Sequence, residues 1–239
     1  MQSLNIGAAG GVAVAVPQSD PNWASVTLLI INDNQGDATT IFDDQSNGNL
    51  TVTTIGNAQY DTAQAPTGMT SSYLGDGTGD GLRLPVNAGL TLSGDFTIEA
   101  FLRLNANNTD GYIIGYDLLI RNVQARFNRS AVVGSMSMYD GTTELISTAN
   151  GSSWSNVWRH TAYSRTGSSL TYWQDGVKVG DTITNSTTLD FSGVIVGGSG
   201  TGDVLDSSVN GWLCSLRITK GVGRYTANFT VPTLPLPTS

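Results

Sequence analysis

The stretch Phe96–Leu104 (FTIEAFLRL) constrains the fold of this chain more than any other. Phe96, Ile98, Ala100, Leu102 and Leu104 fall on one side of an extended backbone, and Thr97, Glu99, Phe101 and Arg103 on the other. Only a β-strand turns that period of two into a single apolar face. Shorter patterns of the same kind recur every 8–14 residues from Trp23 onward. Ala24–Ile31, Thr39–Phe42, Asn49–Ile55 and Gly81–Val86 come before it. Tyr112–Tyr116, Leu118–Ile120, Val132–Met138, Thr143–Ser147, Val157–Ser164, Leu170–Trp173, Val177–Val179, Val194–Gly197 and Gly211–Thr219 come after. Gly, Asn and Asp punctuate them, and no segment keeps an apolar period of 3.6 over three turns. About a dozen short strands with such turns predict an all-β, two-sheet antiparallel sandwich. The absence of a repeat at fixed spacing argues against a propeller or β-helix. Asp175-Gly176, between Tyr172-Trp173 and Val177, predicts a type I′ hairpin, because both central residues tolerate positive φ.

Composition agrees. The chain has only 2 Glu and 2 Lys in 239 residues, and these are the residues that solvate helix faces. A net charge of -8 argues against a nucleic-acid backbone or an anionic membrane surface as partner, since both need a basic face. No apolar run reaches the ~18 residues of a membrane span. A single cysteine, Cys214, excludes an internal disulfide framework and leaves the redox compartment open. The start carries no basic side chain ahead of its short Gly/Ala/Val run, so it reads as mature sequence. Residues 1–21 stand apart: Val12, Val14 and Val16 alternate with alanines before Pro17 and Pro21. This segment is an arm pairing with a neighbour, an extra edge strand or a loose leader. Residues 22–232 form the body, and 233–239, with Pro235 and Pro237, an extended or polyproline II tail.

Four segments in order carry a resemblance: Gly75–Pro85 (GDGTGDGLRLP), Asp95–Leu104 (DFTIEAFLRL), Trp158–Gly180 (WRHTAYSRTGSSLTYWQDGVKVG) and Gly211–Thr226 (GWLCSLRITKGVGRYT). Together they resemble the laminin-G-like branch of the concanavalin A-like lectin/glucanase fold, over nearly the whole chain from Trp23 to Pro232. The resemblance implies a jelly-roll sandwich. The ending RITKGVGRYTANFTVPTLPLP is similar to laminin-G-like domains of bacteriophage virion proteins. Glu99 matches the family's strand glutamate. The family's acidic pair on the last strand, which helps hold a structural calcium in many relatives, is replaced by Cys214-Ser215.

Glycoside hydrolases of this fold need two carboxylates converging on one sugar from opposite sides. No strand here carries an E-x-D-x-E pattern, Glu99 and Glu144 are the only glutamates, and the adjacent Asp43 and Asp44 would point to opposite faces of a strand. His160 is the only histidine and no G-x-S-x-G elbow exists, so nucleophilic catalysis lacks its parts. His160 reads as a packed or edge histidine. Cys214, sharing parity with Trp212, Leu216 and Ile218, reads as a small buried apolar residue. No cofactor is required. Calcium is the one plausible ion, with Asp43, Asp44 and Asn47 in one loop and Asp76 with Asp80 in another as candidate ligands, although Asx residues beside glycine are also ordinary turn formers. For glycan stacking the candidates are Trp154, Tyr139, Trp173 and Tyr116, with Tyr112 and Tyr225 also outside the obvious core. Trp154, in the polar loop Gly151–Asn156, is either a recognition group or a lid folded back on the core. Arg159, Thr161 and Tyr163 form the polar face of their strand.

These observations and the resemblance lead to a non-enzymatic bacteriophage virion surface protein: a capsid decoration or head-fibre protein, or a tail adhesin. Its expected partners are other virion proteins through residues 1–21, and host or environmental glycans. A homo-oligomer, a trimer by phage analogy, would cover the sandwich edges. The rivals are a secreted carbohydrate-binding module and a glycoside hydrolase.

Overall fold

The computed structural model describes residues 19–105, 111–117, 123–127, 134–148 and 151–239. Residues 1–18 of the expected arm and the strand expected over 118–120 lie outside that set. The described strands run β1 Val26–Ile30, β2 Thr53–Ile55, β3 Gln59–Asp61, β4 Ser72–Asp76, β5 Gly81–Arg83, β6 Thr91–Leu92, β7 Phe96–Leu104, β8 Gly111–Gly115, β9 Gln124–Phe127 and β10 Met136–Tyr139. They continue with β11 Glu144–Thr148, β12 Arg159–Thr166, β13 Ser169–Gln174, β14 Val177–Lys178, β15 Ile183–Thr184, β16 Leu189–Asp190, β17 Ile195–Val196, β18 Gly198–Thr201, β19 Val204–Ser208 and β20 Asn210–Lys220.

Two antiparallel sheets stack face to face, as expected of a concanavalin A-like jelly-roll sandwich. The larger has the order β14-β13-β12-β7-β20-β4-β3, with β1 also on β20 and β15 on β13. The smaller has the order β11-β10-β9-β8-β17-β5-β2. The alternation read in Phe96–Leu104 places Phe96, Ile98, Ala100, Leu102 and Leu104 in the core between the sheets. The Asp175-Gly176 turn takes φ of 50° and 78°, and Gln174 pairs with Val177 across it, as the hairpin reading required.

The closing strand β20 departs from its sequence parity. Its first half pairs with β4 and its second with β1, both on the side away from β7. The switch happens at a bulge where Ser215 has φ 51° and donates its N–H to the carbonyl of Ile31, itself at φ 58°. An extra residue reverses which face the following side chains take. Leu213, Leu216 and Ile218 therefore enter the core, while Trp212, Cys214 and Arg217 lie on the outer face. Cys214 is buried as expected, but on the opposite side of the sheet from Leu216 and Ile218.

The chain's end folds back onto the domain. Residues 221–239 run across the outer face of the larger sheet, from the β13–β14 hairpin to β1. Phe229 N–H donates to the Gly176 carbonyl. Asn32 pins Leu236 from both sides, accepting its N–H at 2.8 Å and donating to its carbonyl at 2.9 Å. Leu236 is 2% exposed and packs with Val26 and Leu29. Burying such a side chain contributes about 1.5–3 kcal/mol. The proline-rich segment is thus a covering layer of the domain. The strand residues Thr97, Glu99 and Phe101 are buried beneath it although they face away from the core.

Candidate functional site

The covered face holds a cluster of charges. In the pairing register Trp173, Ala162, Glu99, Arg217 and Leu29 form one row across β13, β12, β7, β20 and β1. Glu99 Oε1 accepts from Arg217 Nε at 2.9 Å and Nη2 at 2.8 Å, and Oε2 accepts from His160 Nε2 at 3.0 Å and the Tyr225 hydroxyl at 2.6 Å. Asp20 holds the far side of Arg217 at 3.0 Å and pairs with Arg224 at 2.7 Å. Two carboxylates thus balance two guanidiniums in a water-poor layer. Burial alone would raise the pKa of Glu99. The Arg217 charge, with hydrogen bonds from His160 and Tyr225, outweighs it and holds the carboxyl far below its ordinary range. Burial likewise opposes ionisation of Asp20, and Arg224, the Asn22 N–H and the Arg217 charge overcome it. All four hydrogen bonds to Glu99 come from donors already committed to it. The cluster clamps the tail and residues 19–22 onto the sheet and presents no carboxylate to a substrate.

The glycan candidates separate. Trp154 is 0% exposed and belongs to the core, so of its two readings the lid holds. Its loop is drawn in by the end of β7: Leu104 N–H donates to the Trp154 carbonyl and Asn156 N–H to the Leu104 carbonyl. Trp173 is 3% exposed on the outer face of the larger sheet, with Phe229 of the tail packed edge-on at 5.8 Å. Neither tryptophan has a ring face to offer a sugar. Tyr225 is stacked on Phe229 at 3.6 Å within the clamp. Tyr163, read as part of a polar strand face, points inward and donates to the Ser137 carbonyl at 3.0 Å.

Tyr116 and Tyr139 lie at the two ends of one group on the smaller sheet, linked through Tyr112 and Arg126. The guanidinium of Arg126 lies 4.9 Å from the Tyr112 ring centroid and 5.8 Å from that of Tyr139. Tyr112 meets Tyr116 edge-on at 5.8 Å. Tyr112 is buried, whereas Tyr116, Arg126 and Tyr139 are half-exposed. A row of aromatic rings with a planar cation among them offers apolar ring surface for the C–H side of a sugar, with a positive charge beside it. Arg126 was missed from sequence because its alignment with Tyr112 depends on the β8–β9 register. Beside this strip the β18–β19 hairpin packs onto the sheet through Gly115, where a Cβ would stand 2.0 Å from the Gly198 carbonyl oxygen.

The acidic loops differ in their fit to calcium. Asp44 is buried and its carboxylate accepts four donors at 2.8–3.0 Å: the N–H groups of Leu29, Ser46 and Leu50 and the Ser46 hydroxyl. Its lone pairs are directed at hydrogens, so it does not fit a cation, and Asp43 beside it is exposed and bridged to Thr51. Asp80 is buried and accepts from Asn57 N–H at 2.9 Å, and Asp76 accepts the N–H and hydroxyl of Thr78. Burial, with the charge of Asp76 adding, raises the pKa of Asp80. Asp76, in the same turn, is exposed.

The comparisons place this architecture. A laminin G family model, described as the concanavalin A-like lectin/glucanases superfamily, matches residues 76–222. The chain belongs to that superfamily. No curated protein matches it in sequence. Among solved structures, this superfamily member is similar to the binding domain of botulinum neurotoxin serotype D, with TM-score 0.59 and 12% identity over 84% of this chain and 49% of that one. It is similar also to domain 4 of AbnA, an extracellular arabinanase from Geobacillus stearothermophilus, in complex with arabinotriose: TM-score 0.58 and 15% identity over 82% of this chain and 93% of that one. A Trypanosoma rangeli sialidase in complex with sialic acid is matched at TM-score 0.55 and 12% identity over 82% of this chain and 31% of that one. The chain spans about half of the toxin structure it matches. Identities this low show the shared sandwich alone.

Proposed function

We propose that the protein is a non-enzymatic glycan-binding module, and that the Tyr112–Arg126–Tyr139 strip with Tyr116 is where it binds. The observation that carries this reading is the Arg126 guanidinium set between the Tyr112 and Tyr139 rings on a sheet of lectin-type architecture. Domain 4 of AbnA, similar over nearly its whole length, was solved with arabinotriose, which supports a saccharide ligand for such a sandwich. The non-enzymatic part rests on Glu99, whose four hydrogen bonds occupy it beneath the tail, and on Glu144, which lies on the other sheet and cannot converge with it.

The setting we propose is the surface of a bacteriophage particle, as a decoration protein or adhesin. It is supported by the resemblance of RITKGVGRYTANFTVPTLPLP to phage virion proteins. Residues 1–21 would then attach to other virion proteins, and copies would associate, as a trimer by analogy, to cover sheet edges. Calcium would be held by Asp76 and Asp80. The test is a glycan and bacterial-envelope polysaccharide array probed with and without calcium, using the full chain, Tyr139→Ala and a form lacking residues 1–18, which keeps Asp20 on Arg217 and Arg224. A saturable hit lost in Tyr139→Ala and kept on deletion of 1–18 supports the module. A hit indifferent to Tyr139, or none, refutes it.

A further inference from the structure

The tail does not seal the whole outer face of the larger sheet. Along β7 the outward side chains are Glu99 in the clamp, Phe101 packed with Val231 and Leu234, and then Arg103 and Asn105. Arg103 is half-buried and Asn105 exposed. Their neighbours on β20 are Trp212 and Asn210, with Asn105 N–H donating to the Asn210 carbonyl at 3.0 Å.

Arg103 is held from two sides. Its Nε donates to Gln64 Oε1 at 2.9 Å, and its guanidinium lies 5.4 Å from the Trp212 ring centroid. The indole is fixed in turn, donating Nε1–H to Asp61 at 2.7 Å. The far end of the guanidinium is free: its two Nη atoms have no partner among the described residues, and neither is buried. Other arginines are committed. Arg83, Arg159, Arg217 and Arg224 each reach a carboxylate, and Arg165 is spent on Asn185 and on carbonyls. Arg103 is thus a fork set in place and unused, and such a fork matches a carboxylate through two parallel N–H···O bonds. The net charge of -8 opposes an anion at long range, but salt screens exposed charges beyond about 8 Å, so the local geometry decides. One row further out, Asn105 Nδ2 donates to Asn210 Oδ1 at 2.7 Å on the exposed surface. That leaves Asn105 Oδ1 to accept from a hydroxyl and Asn210 Nδ2 to donate to one. Alternate residues on one strand face stand about 6.6 Å apart, a spacing that a pyranose ring with its substituents spans.

We propose that this shelf binds a hexuronic acid residue of an acidic polysaccharide, with its carboxylate bidentate on Arg103 Nη1 and Nη2 and its ring hydroxyls on Asn105 and Asn210. The proposal deepens the glycan-binding reading and rests on it for the saccharide class, but it concerns a separate site, on the other sheet from the tyrosine strip.

The full-length protein is titrated by calorimetry at constant ionic strength with methyl β-D-glucuronide and methyl α-D-galacturonide. Methyl β-D-glucoside and methyl α-D-galactoside serve as neutral controls, and sodium acetate as a carboxylate without a sugar. The expected result is saturable binding of a uronide, about tenfold or more tighter than its neutral counterpart and than acetate. Arg103→Lys, which keeps the charge and loses the fork, should weaken uronide binding by about tenfold. Asn210→Ala, a change at an exposed side chain, should weaken it by about fivefold, whereas Tyr139→Ala should leave it unchanged. No uronide binding, a neutral sugar or acetate bound as tightly, or an affinity that Arg103→Lys leaves unchanged overturns the shelf. Should Arg103→Lys unfold the chain, Asn210→Ala decides alone. If array binding that depends on Tyr139 persists when the shelf fails, the module reading stands without it. If Arg103→Lys weakens uronide binding while the array is indifferent to Tyr139, the shelf stands and the tyrosine strip falls.

Discussion

Glu99→Gln removes one charge from the clamp and almost no volume, so it isolates what the buried ion pairs contribute. In the native protein Arg217 faces Glu99 at 2.8 Å and Asp20 at 3.0 Å. Removing one partner of a buried pair typically costs about 3–5 kcal/mol, because the remaining charge stays desolvated. Asp20 still balances Arg217 here, and the glutamine oxygen can accept from one guanidinium nitrogen, so the loss should fall at the low end, about 3 kcal/mol. For a chain of this size that is a fall of roughly 6–12 °C in Tm. The pH dependence gives a second readout. Glu99 and Asp20 are both held below their ordinary pKa values in the folded protein. The unfolded chain therefore binds more protons than the folded one in acid. The stability these groups contribute is present in full above their unfolded pKa values near ~4 and is lost as pH falls through the folded ones. Urea unfolding of both proteins at pH 7, 5, 4 and 3 should show a gap that is constant at the first two and narrows at the last two. A variant as stable as the parent at pH 7, or a gap that does not narrow in acid, would refute the assignment of Glu99 as the ionised centre of the clamp.

Three further outcomes test other parts of the structure. Leu236→Ala should cost about 2 kcal/mol in chemical denaturation, the lower range for a buried leucine because its pocket is small and near the rim; an unchanged midpoint would mean the tail does not pack. Gly115→Ala forces a Cβ against the Gly198 carbonyl, and should cost about 1–3 kcal/mol while raising protease sensitivity in the β18–β19 hairpin ahead of global unfolding. Burial pushes the Cys214 thiol up to about 12, so a thiol reagent at pH 8 should label it only once denaturant unfolds the chain, and rapid labelling of the native protein would contradict its placement.

Much of the fold could be read locally. A run such as Phe96–Leu104 needs no distant information, because alternation is a property of the strand itself, and Asp175-Gly176 announces its own turn. Reading failed where a single residue changes the outcome. The bulge at Ser215 inverts the side-chain order of β20, and its cause, a hydrogen bond to Ile31, is 184 positions away in the chain. Candidate site residues failed for the same reason. Trp154 and Trp173 look like exposed aromatics in polar surroundings, yet β7 draws one inward and Phe229 covers the other. Tyr116 and Tyr139 were legible as candidates, but the cation between Tyr112 and Tyr139 was not.

By itself the sequence determined the class of structure: an acidic, strand-rich sandwich with the motifs of its superfamily, because strand period, turn chemistry and composition act over a few residues. Tertiary structure alone decided which face of the larger sheet is buried twice over. The outer residues Glu99 and Arg217 look solvent-directed until residues 221–239 fold back across them, and only then do they become, with His160, a desolvated clamp. Burial is set by what the rest of the chain lays on top, and no local pattern encodes it.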